Sequence, residues 1–149
     1  MPNAILRTTV MVGFPSESEE EYDNRIAFIK QIKFDHLGAF AYSQEEDTPS
    51  YSYPEQIPEE VKNDRLDKLM KVQQKISYQV NKKHLGEVMD VLITGKEDNY
   101  YVGRSYWNAP DDVDGKIYVK TNNKLSISDE VKVKITDTYV YDLLGEEIQ

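Results

Sequence analysis

The stretch Val131-Lys132-Val133-Lys134-Ile135-Thr136 alternates strictly between apolar and polar side chains. A period of two is typical of a β-strand that buries one face. Residues 89–93 alternate in the same way, and shorter strand signals occur at residues 100–105, 116–120 and 139–143. Five short strands in the segment 86–149 predict a small, closed, antiparallel β-barrel of the OB-like type.

Upstream of residue 85 the pattern changes to that of an α/β protein. Residues 6–12 and 36–42 are short apolar runs that predict strands, and a helix is predicted between them. Two capping boxes are available at the start of that helix, Ser16 with Glu19 and Ser18 with Glu21. A strand–helix–strand unit of this length predicts a parallel strand pair. Residues 43–57 predict a loop, and Pro58 predicts the first position of a second helix of about 25 residues.

The chain is therefore expected to contain two domains, an α/β part at 1–85 and a barrel at 86–149. One βαβ unit and a helix cannot cover both faces of a parallel strand pair. We expect the α/β part to belong to a larger sheet, and the chain to be the C-terminal part of a longer protein. An uncovered face and an open strand edge also predict self-association.

Composition excludes several classes of protein. The 149 residues contain no cysteine, which excludes disulfides and cysteine-ligated metal sites or clusters held by this chain alone. A calcium loop built around Gly115 is excluded because Pro110 and Thr121 would occupy its first and last ligand positions. No run is apolar enough for a membrane span and no signal peptide is visible, so a cytoplasmic location is expected.

Charge is distributed unevenly along the chain. The net charge is −9, and the segment 86–149 contains 13 acidic and 7 basic side chains. Contacts to phosphates supply most of the affinity of RNA-binding proteins. The acidic barrel therefore favours a basic partner over a nucleic acid.

The segment Gly103–Val119, GRSYWNAPDDVDGKIYV, contains the candidate binding residues of the barrel. Tyr106 and Trp107 form an aromatic pair that is expected to be exposed, and exposed aromatic residues are enriched at protein interfaces. Such residues also stack on RNA bases or pack against a barrel rim, and both alternatives stay open. Three aspartates crowd the turn before Gly115 and are predicted to contact a basic partner or to stabilise the turn. They are Asp111, Asp112 and Asp114.

Two sequence motifs resemble a known family. Residues 6–15, LRTTVMVGFP, resemble the late strand and turn of radical-SAM methylthiotransferases, and residues 40–49, FAYSQEEDTP, resemble their last strand and loop. The final barrel is similar to the TRAM domain that ends those enzymes. The resemblance covers nearly the whole chain and implies the end of a partial TIM-like barrel followed by a TRAM domain.

Two details of the resemblance select a branch of the family. Glu45-Glu46 in the loop and GRSYWNAPDDVDG in the barrel look like the branch that adds a methylthio group to an aspartate β-carbon of the twelfth small-subunit ribosomal protein. The implied partner is that basic ribosomal protein, and tRNA is the less favoured partner. Two alternatives stay open: a fragment of a tRNA adenosine methylthiotransferase, and a non-enzymatic binding module.

The resemblance also implies sites and cofactors. The S-adenosylmethionine (SAM) site would include the strand-end turn and two aromatic residues: Gly13, Phe14, Pro15, Phe40 and Tyr42. The turn could equally be a plain strand-to-helix connection, and core packing is the favoured alternative for Phe40 and Tyr42. Glu45 and Glu46 would face the substrate, or are simply solvated acids.

The family holds [4Fe–4S] clusters through a three-cysteine motif and an upstream domain, neither of which occurs in this sequence. The chain alone is therefore predicted to be inactive, and we assign it no catalytic residue and no metal ligand.

The sequence departs from the family pattern at two positions. Ser16 replaces a glycine of the turn and is expected to cap the helix with little loss. Asp47 stands where glycine is common, and aspartate tolerates the left-handed conformation better than most residues.

Overall fold

The computed structural model describes residues 4–108 and 115–149. Within this range the α/β part contains β1 (Arg7–Val12), α1 (Glu19–Ile32), β2 (His36–Ala41), a short 3-10 helix (Pro49–Ser52) and α2 (Glu59–Lys82). The barrel strands are β3 (Val88–Glu97), β4 (Tyr100–Arg104), β5 (Ile117–Lys120), β6 (Glu130–Thr138) and β7 (Leu143–Glu147). In the ranges described, no helix is both long and apolar enough to cross a membrane.

The chain divides into two compact units inside α2, between Ile76 and Ser77. The sequence-based boundary at residue 85 lies later, where the helical pattern stops. The last turns of α2 belong with the barrel, because Asn81 donates hydrogen bonds from Nδ2 to the carbonyls of Tyr139 (3.0 Å) and Val140 (3.1 Å).

The first unit contains the predicted βαβ arrangement. Strands β1 and β2 pair in parallel, with a register that runs from Arg7 opposite His36 to Val12 opposite Ala41. Helix α1 begins after Ser18, whose side chain accepts a hydrogen bond from the backbone amide of Glu21. The buried core of this unit joins both strands to both helices through Val12, Tyr22, Ile29, Leu37 and Leu69.

One face of the β1–β2 sheet is uncovered. Met11 and Phe40 are register partners on that face and both are exposed. Among the described residues, no third strand pairs with β1 or β2. The uncovered apolar face expected from the sequence is therefore present.

The second unit is a closed five-stranded barrel in the order β3-β4-β5-β7-β6. Its interior is filled by the alternating apolar residues of the strands: Met89, Val91, Ile93, Ile117, Val119, Val133, Ile135 and Leu143. Gly103 and Gly145 permit close strand contacts, since an added Cβ would lie 2.5 Å from the carbonyl oxygen of Leu92 and 2.4 Å from Cγ1 of Val133 respectively. The predicted barrel is confirmed.

The expectation that the barrel is wholly antiparallel is wrong for one strand pair. Four pairings are antiparallel, whereas β5 and β7 run parallel, with Ile117 opposite Leu143. Strand direction cannot alternate all the way around a closed ring with an odd number of strands. One parallel pair is therefore required by closure.

The predicted position of the fifth strand is also wrong. Alternating Tyr139, Tyr141 and Leu143 suggested a strand at residues 139–143, but β7 begins at Leu143. The amide of Tyr139 donates to the carbonyl of Asp142 (2.9 Å) and closes a turn there. The tyrosines therefore precede the strand.

We expect the amide hydrogens of β1 and β2 to exchange faster than those of β3 and β6. A two-stranded sheet with open edges is only marginally protected, whereas every barrel strand is paired on both sides. Hydrogen–deuterium exchange followed by mass spectrometry measures the difference. Equal protection in a chain that sedimentation shows to be monomeric would contradict it.

Candidate functional site

The carboxyl ends of β1 and β2 meet at an aromatic turn. The amide of Tyr42 donates to the carbonyl of Val12 (2.8 Å), which ties the residues at the two strand ends together. The ring of Phe14 contacts the ring of Tyr42 edge-on at 5.2 Å and that of Tyr53 at 6.1 Å. Ligands of α/β proteins bind at such strand ends. The structure thus brings together Gly13, Phe14 and Tyr42 from the predicted site.

Lys62 of α2 supports both strand ends. Gly13 has a φ of +77°, and a Cβ there would lie 2.2 Å from Cγ of Lys62. The Lys62 ammonium donates to the carbonyl of Tyr42 (3.0 Å) and pairs with Glu59 (2.6 Å). Sequence reasoning missed Lys62, because a lysine on a helix is normally a solvated residue.

The buried carboxylate of Glu17 organises the turn. Its Oε1 accepts hydrogen bonds from the amide of Gly13 (3.1 Å) and from Arg65 (2.8 Å), and its Oε2 accepts from Arg25 (2.8 Å). Arg25 also donates to the carbonyl of Met11 (2.6 Å). Two guanidinium groups therefore compensate the carboxylate, which is the condition for keeping a charge buried.

The electrostatics of Arg65 agree with this arrangement. Burial acts to lower the pKa of Arg65, but its hydrogen bonds to Glu19 and Glu17 raise that pKa overall. Arg65 thus remains a full cation and a permanent partner for Glu17. Sequence reasoning missed Glu17, because no local pattern separates it from its exposed neighbours Glu19 and Glu20.

The remaining residues of the predicted SAM site divide by exposure. Pro15 is buried, and Tyr42 is buried with its hydroxyl donating to Ser50 (2.9 Å). Phe40 is 47% exposed, so the alternative that it is a core residue is wrong. It lies on the sheet face that has no cover among the described residues.

Glu45 and Glu46 lie exposed in the loop after β2. Glu45 accepts a hydrogen bond from the Ser43 hydroxyl (2.5 Å). Asp47 in the same loop has a φ of +66°, as expected for a position that favours glycine. A contact between the two glutamates and a substrate stays a prediction.

Ser16 does not cap the helix. It has a φ of +70°, and the cap is Ser18. The expectation that Ser16 substitutes for glycine as a cap is therefore wrong. A left-handed conformation strains a residue that has a Cβ, by about 1 kcal/mol.

The aromatic pair of the barrel divides between surface and interior. Tyr106 is 59% exposed and its hydroxyl donates to Glu87 (2.5 Å). Trp107 is only 4% exposed and its ring lies 4.1 Å from that of His84, whose Nδ1 is hydrogen-bonded to Glu87 (2.6 Å). The expectation of an exposed pair is wrong for Trp107, because the turn closed from Asn108 to Ser105 directs it inward. The predicted Asp111, Asp112 and Asp114 lie outside the described residues.

A groove of about 360 Å³ lies along β1 and includes none of the predicted site residues. It is lined by residues 8–11 of β1 together with Arg25, Phe28, Ile29 and Phe34. It therefore belongs to the packing of α1 against β1.

Glu17→Gln should lower the free energy of unfolding by about 3 kcal/mol, because it leaves two guanidinium groups facing a neutral side chain. Chemical denaturation followed by circular dichroism measures the loss. Glu20→Gln on the exposed side of α1 is the matched control and should change stability by less than about 0.5 kcal/mol. A similar effect of both substitutions would contradict the role given to Glu17.

Ser16→Gly and Ser18→Ala should change stability in opposite directions. The first removes strain and should stabilise by about 0.5 kcal/mol, because the strain outweighs the added freedom of the unfolded chain. The second removes the cap and should destabilise by about 1 kcal/mol. Urea denaturation of both variants tests the assignment, and loss of stability in Ser16→Gly would refute it.

Comparison with known proteins agrees with both halves of the structure. Residues 85–148 match the TRAM domain family. The chain is 47% identical over 150 residues to the ribosomal protein uS12 methylthiotransferase RimO of Petrotoga mobilis, covering 99% of this chain and 34% of that protein. It is 48% identical to the proteins of the same name from Clostridioides difficile and Thermoanaerobacter sp., covering 98% of this chain and 33% of each.

The chain thus spans about a third of the length of the curated relatives it matches. The match includes the strand-end turn, α2 and the barrel alike. The resemblance to methylthiotransferases is confirmed: residues 85–148 belong to the TRAM domain family, and the chain is similar over nearly its whole length to about a third of the length of the proteins named ribosomal protein uS12 methylthiotransferase.

Proposed function

We propose that this chain is the substrate-docking part of an enzyme that methylthiolates an aspartate β-carbon of ribosomal protein uS12, using SAM and [4Fe–4S] clusters. The observation that carries the proposal is the match over 98–99% of the chain to proteins named for modifying uS12. The TRAM barrel binds the basic protein substrate. The strand ends of the first unit contribute one wall of the SAM site.

Charge supports the docking role of the barrel. The segment 86–149 contains 13 acidic and 7 basic side chains, and the exposed Tyr106 lies beside the acidic Glu87. An acidic surface attracts a basic protein and repels nucleic-acid phosphates. Trp107 is not available for direct contact because it is buried. It acts by holding the turn that presents Tyr106.

The strand ends fit one part of SAM. Phe14 and Phe40 are exposed aromatic residues that offer stacking surfaces to an adenine base. The side of Gly13 that has no Cβ is filled by Lys62, so Gly13 serves the packing of α2 against the turn. When bound, SAM supplies the methyl group and the radical chemistry of the family. The chain's own contribution is to orient it.

The residues present do not fit an iron–sulfur cluster. The sequence has no cysteine, and no group of three potential metal-ligating side chains occurs among the residues that the structure describes. Cluster ligands therefore have to come from sequence other than this chain.

The proposal predicts that the chain binds purified uS12 in preference to tRNA. Affinity for uS12 should fall as salt rises from about 50 to about 200 mM, because screening weakens attraction between opposite charges. Titration of the labelled chain, followed by fluorescence anisotropy, measures both affinities. Matched titrations with bovine serum albumin control for nonspecific association.

Tighter binding of tRNA than of uS12 would overturn the docking proposal. It would assign the chain to the tRNA-modifying alternative. Binding of uS12 that does not respond to salt would contradict the electrostatic basis of docking.

A further inference from the structure

Three tyrosines gather on the surface of the barrel. Tyr100 begins β4, Tyr118 lies in β5 and Tyr139 follows β6. The rings of Tyr100 and Tyr118 are 6.3 Å apart and meet edge-on at 79°. Tyr139 begins the turn that its amide closes to the carbonyl of Asp142 (2.9 Å), and the amide of Leu143 donates to the carbonyl of Lys116 (3.0 Å), which brings this turn beside the start of β5. Barrel closure brings together these residues of distant sequence, and we call them the tyrosine patch.

Carboxylates border the tyrosine patch. Glu97 accepts a hydrogen bond from the Tyr118 hydroxyl (3.1 Å). Asp137 lies beside Tyr139, and its charge raises the pKa of that tyrosine. Burial and the hydrogen bond to Glu97 also raise the pKa of Tyr118. Both phenols therefore stay neutral at physiological pH, and the negative charge of the patch comes from the carboxylates.

The tyrosine patch already accommodates one cation of the chain itself. The Lys116 ammonium lies 2.5 Å from Glu97 Oε1, and hydrogen bonds from Lys116 and Tyr118 lower the pKa of Glu97. Asp137, in contrast, is exposed and pairs with no lysine or arginine among the described residues. Glu97 thus holds an ammonium of the chain on one side of the patch, whereas on the other side Asp137, whose Oδ1 accepts from the amide of Thr138 (2.8 Å), lies beside the half-exposed ring of Tyr139.

We propose that the tyrosine patch, with Asp137, binds an arginine or lysine side chain of the basic protein that the barrel docks. A cation over a tyrosine ring and beside a carboxylate gains both cation–π attraction and ion pairing. A planar guanidinium suits the ring faces best. The Asp137 carboxylate, which no lysine or arginine of the described residues neutralises, disfavours a phosphate backbone.

The inference rests on the proposed docking function and names a second contact region for it. Tyr106 is hydrogen-bonded to Glu87, just before β3, whereas Glu97 ends β3. A basic protein would therefore contact the barrel at both ends of this strand. Two contacts on one rigid strand fix the orientation of the partner better than one.

The test is a titration of the full chain with purified uS12, comparing patch variants with matched controls. Tyr139→Leu and Asp137→Asn should each weaken binding by about three- to tenfold. Tyr139→Phe keeps the ring and should bind like the unmodified chain. Tyr78→Leu, on α2, and Glu130→Gln, on β6, replace an exposed tyrosine and an exposed carboxylate elsewhere and should leave affinity unchanged.

Each outcome decides the inference. Weakened binding of the two patch variants, with unchanged thermal midpoints and unaffected controls, supports it. If the unmodified chain binds uS12 and the patch variants bind equally well, the tyrosine patch is refuted while docking stands. If the unmodified chain does not bind uS12, docking and the patch are both overturned. A change in sedimentation of the patch variants without a change in uS12 affinity would make the patch a self-association contact and overturn the inference.

Discussion

The first unit depends on one buried carboxylate. Glu17 satisfies the amide of Gly13 and holds Arg25 and Arg65, which come from different helices. A buried charge is tolerated only when its partners are fixed, so the requirement orders the turn and both helices together. Because Gly13 has no Cβ, the side chain of Lys62 can occupy the space beside it, and α2 can approach the strand ends closely. The geometry of the turn is thus set by charge compensation more than by turn propensity.

The barrel depends instead on closure. Five strands in a ring force one parallel pair, and the β5–β7 pairing supplies it. Closure leaves no free edge, so the barrel needs no partner strand for its stability. Its outer residues are therefore available for recognition. The exposed Met11 and Phe40 of the first unit, in contrast, lie on a sheet that has two strands among the described residues.

Sequence reasoning succeeded where a periodic pattern spans a whole element. Alternation predicted the barrel strands, and strand–helix–strand spacing predicted the parallel pair. It failed at Tyr139 and Tyr141, because residues that favour strands also occur in turns that precede them. It failed at Trp107, because exposure is set by a four-residue turn. Lys62 could not be identified because burial of a helix lysine depends on a glycine far away in the sequence.

The candidate site residues also show what a sequence motif cannot reveal. Family resemblance identified Gly13 and Phe14, and the structure shows that they differ in exposure and in contacts. Gly13 is packed against the chain's own lysine, and Phe14 faces outward with its ring against Tyr42. A motif therefore marks a place in the fold without separating residues that support a site from residues that touch a ligand. Exposure separates residues that a ligand can reach from residues that it cannot: Phe14 and Tyr106 are exposed, whereas Gly13 and Trp107 are buried.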